Sequence, residues 1–223
     1  MAGLISDLLP RAAVVAVSPL PVLAVVLMLL TDRGRTNSLA YLAGWAGGMA
    51  GVAVIAALAG VGDVATHPSR PVAFVMLVVA VAFIVGAVVE FRRRPRRGEE
   101  HVSPWWAKLL HRIGPGQAFG LGLLLVVANA KDALASIDAG GQLGASTASP
   151  AAKLVALAVF VAVGSLPVLV PIGIRFAMGD GADTTLHRWR SWLERHGPLA
   201  VAVVLVVVAI ALLVQAVPAL RHG

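Results

Sequence analysis

Six runs of predominantly apolar residues divide this chain, and they constrain its fold more than any other feature. The runs cover residues 12–30, 38–61, 71–89, 117–138, 154–174 and 198–217. One crossing of a bilayer takes about 20 apolar residues, which as a helix rise about 30 Å. Helices are expected because in lipid a helix satisfies its own backbone hydrogen bonds. The sequence therefore predicts an all-α polytopic membrane protein with six transmembrane helices.

The composition excludes several other classes of protein. Hydrophobic residues make up 59% of the chain and charged residues 13%, whereas soluble domains average about 45–50% and about 25%. The chain has no cysteine, which excludes disulfides and thiolate metal sites. The net charge of +7 comes from cations between the apolar runs. Membrane topology explains such cations better than nucleic-acid binding, so nucleic acid is not an expected partner.

The distribution of cations predicts the orientation. Thirteen lysines and arginines follow the first, third and fifth runs, and four lie on the opposite side. Cytoplasmic loops of membrane proteins carry the excess of positive charge. We therefore expect a multi-pass protein of the bacterial inner (plasma) membrane with both termini outside the cytoplasm. The N-terminal apolar run lacks a clear cleavage site, so it is expected to remain as the first helix.

A long basic loop separates two groups of three helices. The chain is predicted to be a single transmembrane domain, residues 1–223, with one half at 1–91, a basic cytoplasmic loop at 92–116 and a second half at 117–223. Because three is odd, the two halves must cross the bilayer in opposite directions. That layout predicts two inverted three-helix repeats, with a site near the midplane where broken helices meet.

The first apolar run contains Ser18, Pro19 and Pro21. Each proline lacks a backbone N–H and clashes with the carbonyl four residues earlier, so the helix should kink or unwind here. The freed carbonyls then need partners, which a cavity or a substrate can supply. The alternative is a structural kink repaired by neighbouring helices.

The fourth run is the most polar and contains Asn129, Lys131, Asp132, Ser136 and Asp138. Ionisable residues in a spanning segment are expensive and usually face a protein interior or a wet cavity. On an ideal helix Lys131 shares a face with Asp138 and not with Asp132, while Asn129, Asp132 and Ser136 form a second polar edge. The alternative is that the helix ends before this segment and Lys131 snorkels to the interface.

Two further patterns concern packing and anchoring. Glycines at 44, 47, 48 and 51 form two overlapping Gly-x-x-x-Gly pairs, which favour close helix packing within the chain or in a homodimer. Amphipathic stretches at 105–113 and 186–195 interleave tryptophan and leucine with cations, as is typical of interfacial helices on anionic headgroups.

Motifs for catalysis and for metal or cofactor binding were not found. The histidines form no His-Glu-x-x-His pair, and neither a phosphate-binding loop nor a Gly-x-Ser-x-Gly elbow occurs. We therefore expect no enzyme activity, no catalytic residue, no metal and no cofactor.

Two short elements resemble a known family. Residues 18–21, followed after an apolar stretch by Asp-Arg-Gly-Arg-Thr-Asn at 32–37 and Leu-Ala-Tyr-Leu-Ala-Gly-Trp at 39–45, resemble the LysE superfamily of small exporters. Within it the chain looks most like the GAP/Sap family of peptidoglycolipid- and sulfolipid-addressing proteins. Asn129-Ala130-Lys131 matches the family's usual Asn-Pro-Lys except at Ala130. The sequence therefore leaves open whether helix 4 is broken there.

The resemblance implies a six-helix transporter of two halves that moves an envelope lipid or glycolipid outward, beside a larger proton-driven lipid exporter. On this hypothesis Lys131 contacts an anionic headgroup or responds to protonation, and Asp132 couples transport to protons. Asn129 and the carbonyls freed near Ser18 hydrogen-bond the polar part of the substrate. Two alternatives remain, namely a LysE-type exporter of amino acids or other small solutes and a non-transporting scaffold for envelope assembly.

Overall fold

The computed structural model describes residues 2–60, 70–92 and 113–222, and all regular elements in these ranges are helical. They are α1 Ala2–Ala16, α2 Pro19–Leu29, α3 Gly34–Leu58, α4 Arg70–Arg92, α5 Pro115–Ala128, α6 Ala130–Ala145, α7 Pro150–Met178 and, after a 3₁₀ turn at Gly179–Ala182, α8 Asp183–His222. The prediction of an all-α chain is confirmed for this part. Most of the predicted basic loop, with its amphipathic stretch, lies outside the described residues.

Two of these helices are each long and apolar enough to cross a membrane, namely α3 and α7. Two bent pairs, α1 with α2 and α5 with α6, also qualify if each pair counts as one span. Within α4, residues Met76–Val89 form a shorter apolar helix. These helices agree with a membrane-embedded protein. The count of six spans and their arrangement as inverted repeats stay predictions.

The first break lies where the prolines predict it. Ser18 is extended, with φ −129° and ψ 100°, and Pro19 is the first residue of α2. Proline suits the first helical position because its missing N–H has no partner there and its φ is already helical. The axes of α1 and α2 differ by 59°. The prolines therefore start a new helix in a new direction.

The second break lies at Asn129, which answers the question that the sequence left open. Asn129 is extended, with φ −86° and ψ 99°, and α5 and α6 meet there at 78°. No proline is needed, because Asn129 ends one helix and begins the next. Its carbonyl oxygen accepts hydrogen bonds from the N–H groups of Asp132 and Ala133, at 2.9 Å each. The first turn of α6 is thereby fixed.

Helix α3 packs closely against α5 and α6, and glycines make this approach possible. A Cβ on Gly44 would lie 2.0 Å from the carbonyl oxygen of Phe119, and one on Gly122 would lie 2.2 Å from that of Tyr41. Any side chain at either position would push the helix backbones apart. By contrast, a Cβ on Gly47 or Gly51 would meet nothing within 4 Å. The packing role predicted for the glycine pattern is therefore confirmed within the chain for the face of Gly44.

The N-terminal part of α8 packs on protein. Leu186 and Leu193 are buried in the main core, and Trp189 is half-buried against it. Helix α8 contacts α2 in this region and α4 further along the chain. The stretch at 186–195 is helical as predicted, but its apolar face contacts the rest of the protein where we expected lipid headgroups. The exposed side of this stretch includes Trp192.

Candidate functional site at the two helix breaks

The two helix breaks contact each other through polar side chains. Ser18 Oγ donates a hydrogen bond to Asp132 Oδ2 over 3.2 Å, and Asn129 Nδ2 donates to Ser18 Oγ, also over 3.2 Å. Asn129 Nδ2 also lies 2.6 Å from Asp132 Oδ2. One extended residue from each break thus shares the same carboxylate. Ser18, Asn129 and Asp132, predicted separately from two apolar runs, form one site.

Lys131 connects this carboxylate to the backbone of α1. Its Nζ forms an ion pair with Asp132 Oδ1 and donates a hydrogen bond of 2.6 Å to the carbonyl oxygen of Val14. In a continuous helix that carbonyl would accept from the N–H of Ser18, four residues on. The N–H of Ser18 instead donates to the carbonyl of Ala16. The break therefore frees a carbonyl, as predicted, and the ammonium group satisfies it.

The ion pair is almost completely buried. The Lys131 side chain is 5% exposed and the Asp132 side chain 0%. Removing two charges from water costs several kcal/mol per ion, which their mutual attraction offsets only with good geometry and further hydrogen bonds. Ser18 and Asn129 supply such bonds to the carboxylate, and Val14 supplies one to the ammonium. We refer to Ser18, Asn129, Lys131, Asp132 and the Val14 carbonyl as the charged cluster.

The predicted geometry of the ionisable residues was wrong in one respect. We expected Lys131 and Asp132 not to face each other. The two residues form an ion pair, because both belong to the first turn after the break, where the long lysine side chain turns toward α1. The expectation that Lys131 shares a face with Asp138 agrees with the structure, since both side chains contact α1. Asp138 accepts a hydrogen bond of 2.5 Å from Arg11 Nε. Asp138 is therefore part of a separate, partly exposed ion pair between α6 and α1.

The two prolines contribute through the backbone. Pro19 begins α2, and Pro21, two positions further along it, is buried. Neither provides a hydrogen-bond donor, so their role is to hold Ser18 in its extended conformation. Ser136, on the predicted polar edge, is also buried, but its hydroxyl donates back to the carbonyl oxygen of Asp132 over 2.8 Å.

Three buried polar side chains were not predicted as site residues. The Tyr41 hydroxyl, the Trp45 indole N–H and the Ser165 hydroxyl are buried, and within the described ranges none has a hydrogen-bond partner. Tyr41 and Trp45 both lie in the stretch 39–45 on which the family resemblance rests, but that stretch was not assigned a role in the site. The Tyr41 and Trp45 rings stack with centroids 6.5 Å apart, which places both polar groups in one region of α3.

A cavity of about 570 Å³ adjoins the charged cluster. Ser18 belongs to both, since it lines the cavity and bonds to Asp132. The wall is formed by the first break on one side and by the N-terminal part of α8 on the other, with Ala16, Val17, Ser18, Pro19, Val22, Arg188, Trp189, Trp192 and Leu193. The cavity is mainly apolar, whereas the adjoining cluster is charged.

The described residues contain no group of three or more histidines, aspartates and glutamates that could hold a metal ion. The charged cluster has one carboxylate and one ammonium, which attract each other and leave no set of anionic ligands. The chemistry that this arrangement supports is hydrogen bonding, ion pairing and proton exchange.

The comparison with models of protein families shows the family to which the chain belongs. The sequence model of the family described as "Sap, sulfolipid-1-addressing protein" matches residues 8–218, nearly the whole length. The chain belongs to the sulfolipid-1-addressing protein family. The matched range includes both helix breaks and every residue of the charged cluster. Comparisons of this family member with curated proteins and with solved structures found no match.

Proposed function

We propose that this protein is an integral-membrane transporter that exports or flips an anionic envelope lipid or glycolipid across the plasma membrane. The observation that carries the proposal is the charged cluster, in which the two helix breaks share one buried carboxylate. Buried ionisable residues in membrane segments are costly and are typical of substrate or proton pathways. The family is named after a sulfolipid, and the sulfur-containing acid group of a sulfolipid is anionic.

The packing of the helices supports a transporter built from inverted repeats. The first span of each predicted half is a bent pair, α1 with α2 and α5 with α6. Helix α3 packs on α5 and α6, helix α7 packs on α1 and α2, and α4 packs on α8. If the two halves are exchanged, the contact of α3 with α5 and α6 becomes the contact of α7 with α1 and α2, and the contact between α4 and α8 stays the same. Transporters with such repeats bind substrate where broken helices meet.

The roles of the cluster residues follow from their contacts. Lys131 is the only cation of the charged cluster, so an anionic headgroup would compete with Asp132 for its ammonium group. Asp132, once separated from Lys131, would take up a proton and thereby couple the step to the proton gradient. Asn129 and the carbonyl of Val14 would hydrogen-bond the uncharged polar part of the headgroup.

The cellular setting of this proposal is the bacterial inner membrane, with both termini outside the cytoplasm and a larger lipid exporter as partner. The excess of cations on one side supports this orientation. The exposed face of Gly47 and Gly51 leaves room for a homodimer.

The experiment that tests this function compares surface-exposed and total envelope lipids in a strain lacking the protein. We expect one anionic lipid class to be made normally and to be missing from the surface. Complementation with the wild-type chain and with Lys153→Met should restore it, whereas Lys131→Met, inserted at an equal level, should not. Lys153 is the matched control because it is outside the charged cluster.

Other results would contradict the proposal. An unchanged surface lipid profile with a solute lost from the culture medium would favour a small-solute exporter. A missing lipid that Lys131→Met restores in full would favour a scaffold, since a scaffold does not need the buried ion pair.

A further inference from the structure

The cavity beside the first helix break has the size and lining of a ligand site. Its volume of about 570 Å³ lies within the range of about 300–1,000 Å³ found for small-molecule sites. Val17, Val22, Trp189 and Leu193 give it an apolar wall. Such a wall suits a hydrocarbon chain and offers few partners to a hydrophilic solute.

Arg188 gives the cavity a positive charge, and among the described residues that line the cavity no other is charged. Its side chain is exposed and forms no ion pair with another residue that the structure describes. Among the described residues that line the cavity there is no carboxylate to neutralise it. An apolar cavity with one uncompensated cation at its wall is complementary to an anionic amphiphile.

The position of the cavity along the helices places it in one leaflet. Helix α2 has 11 residues and therefore rises about 16 Å, about half of a hydrocarbon core of about 30 Å. The cavity lies at the start of α2, while the far end of that helix leads to Arg33, on the side predicted to be cytoplasmic. Arg188 precedes the sixth apolar run at 198–217 and is one of the cations predicted to be cytoplasmic. With the predicted topology the cavity therefore lies on the cytoplasmic side of the midplane, with Arg188 toward the headgroups.

The surroundings of the cavity are accessible from the lipid phase. Val17 and Trp192, which line it, and Leu20, one position beyond Pro19, are all exposed on the protein surface. Apolar residues exposed at this depth contact lipid in a membrane protein. An acyl chain from the cytoplasmic leaflet can therefore enter sideways, without crossing the charged cluster.

We infer that this cavity binds the acyl chain of an anionic lipid from the cytoplasmic leaflet, with the headgroup at Arg188. The inference rests on the proposed function and adds the place where the lipid enters. Ser18 links the two sites, since it lines the cavity and bonds to Asp132. A lipid bound there has its chain next to the first break, within reach of the carboxylate that both breaks share.

Photolabelling of the full chain in nanodiscs tests this inference. The nanodiscs contain phosphatidylcholine and a small fraction of a lipid with a diazirine on its acyl chain, with either a phosphatidylglycerol or a phosphatidylcholine headgroup. Peptide mapping after irradiation should find labels at residues 16–22 and 189–193. The anionic probe should label these residues about five-fold more than the zwitterionic probe, as expected for one partly exposed ion pair.

Variants separate the contributions of charge and volume. Arg188→Gln should remove the preference for the anionic probe, whereas Arg195→Gln, which changes an exposed arginine outside the cavity lining, should retain it. Val22→Phe should reduce labelling by both probes in the cavity. Labelling at Leu124, which is exposed on α5 away from the cavity, should be unchanged and reports ordinary lipid contact.

Labels of equal strength in the cavity and at Leu124, with no headgroup preference, would overturn the inference. So would a preference that survives Arg188→Gln. If this test fails but the deletion strain still lacks a surface lipid, the proposed function stands and the lipid enters at another place. If the cavity is labelled preferentially but the deletion strain has normal surface lipids, the cavity binds lipid and the proposed transport is refuted.

Discussion

Replacing Lys131 by methionine removes one charge from the buried ion pair and keeps most of the side-chain volume. The carboxylate of Asp132, which is 0% exposed, then loses its charged partner. The Val14 carbonyl loses its hydrogen bond as well. We expect the variant to be less stable than the wild type because an uncompensated buried charge is more costly than a buried pair.

The magnitude follows from the burial of both partners. Removing one member of a buried ion pair typically costs about 3–5 kcal/mol, whereas replacing both with uncharged groups is often nearly neutral. Lys131→Met alone should therefore lower the free energy of unfolding by about 3–5 kcal/mol. The double variant with Asp132→Asn should recover most of this loss, since the asparagine can still bond to Ser18 and Asn129.

Unfolding in mixed micelles of increasing SDS fraction, followed by circular dichroism, measures these differences. Lys153→Met provides the control for the loss of a lysine outside the cluster and should change stability by less than about 0.5 kcal/mol. A Lys131→Met variant as stable as this control would show that the pair is not buried as described. A double variant with the summed losses of both single variants would show that the two charges do not interact.

Two further predictions concern the contacts that hold the breaks in place. Gly44→Ala should destabilise the protein by about 1–3 kcal/mol in the same assay, because its Cβ would lie 2.0 Å from the Phe119 carbonyl oxygen. The control is Gly47→Ala, whose Cβ would meet nothing within 4 Å. Equal effects of the two substitutions would contradict the close packing at Gly44. Arg11→Gln should lower the free energy of unfolding by only about 1 kcal/mol, because the side chains of Arg11 and Asp138 are 24% and 31% exposed. A loss as large as that of Lys131→Met would show that the Arg11–Asp138 pair is as buried as the Lys131–Asp132 pair.

The sequence predicted the first break because proline changes the backbone at its own position. Pro19 lacks the N–H that would continue the hydrogen bonding of α1, so this position was singled out without knowing the fold. Proline alone does not decide the outcome, because Pro10 lies inside α1 and Pro167 and Pro171 lie inside α7. Asn129 gave no comparable certainty, because asparagine is compatible with a helix and its extended conformation is fixed by bonds to Ser18 and Asp132. A local pattern therefore indicated the first break, gave no indication of the second, and in neither case determined the tertiary contacts that hold the break.

The pairing of charges could not be predicted because it depends on tertiary contacts. An ideal helix separates Lys131 from Asp132, but a break at Asn129 lets the lysine reach the carbonyl of Val14, 117 residues away in sequence. Arg11 and Asp138 are separated by 127 residues, and no local pattern links them. The apolar cavity likewise depends on where α8 approaches α2, which no sequence period determines.

The proposed role of the charged cluster in moving an anionic lipid is tested most directly in liposomes that contain the purified chain. A fluorescent sulfated glycolipid is placed in one leaflet, and its appearance in the other leaflet is measured under a proton gradient. We expect movement of the lipid with the wild type and with Lys153→Met, and none with the folded double variant Lys131→Met/Asp132→Asn. Equal movement by the double variant would contradict the assignment of the site. If neither the wild type nor the variants move the lipid, although the protein binds it, transport itself is contradicted.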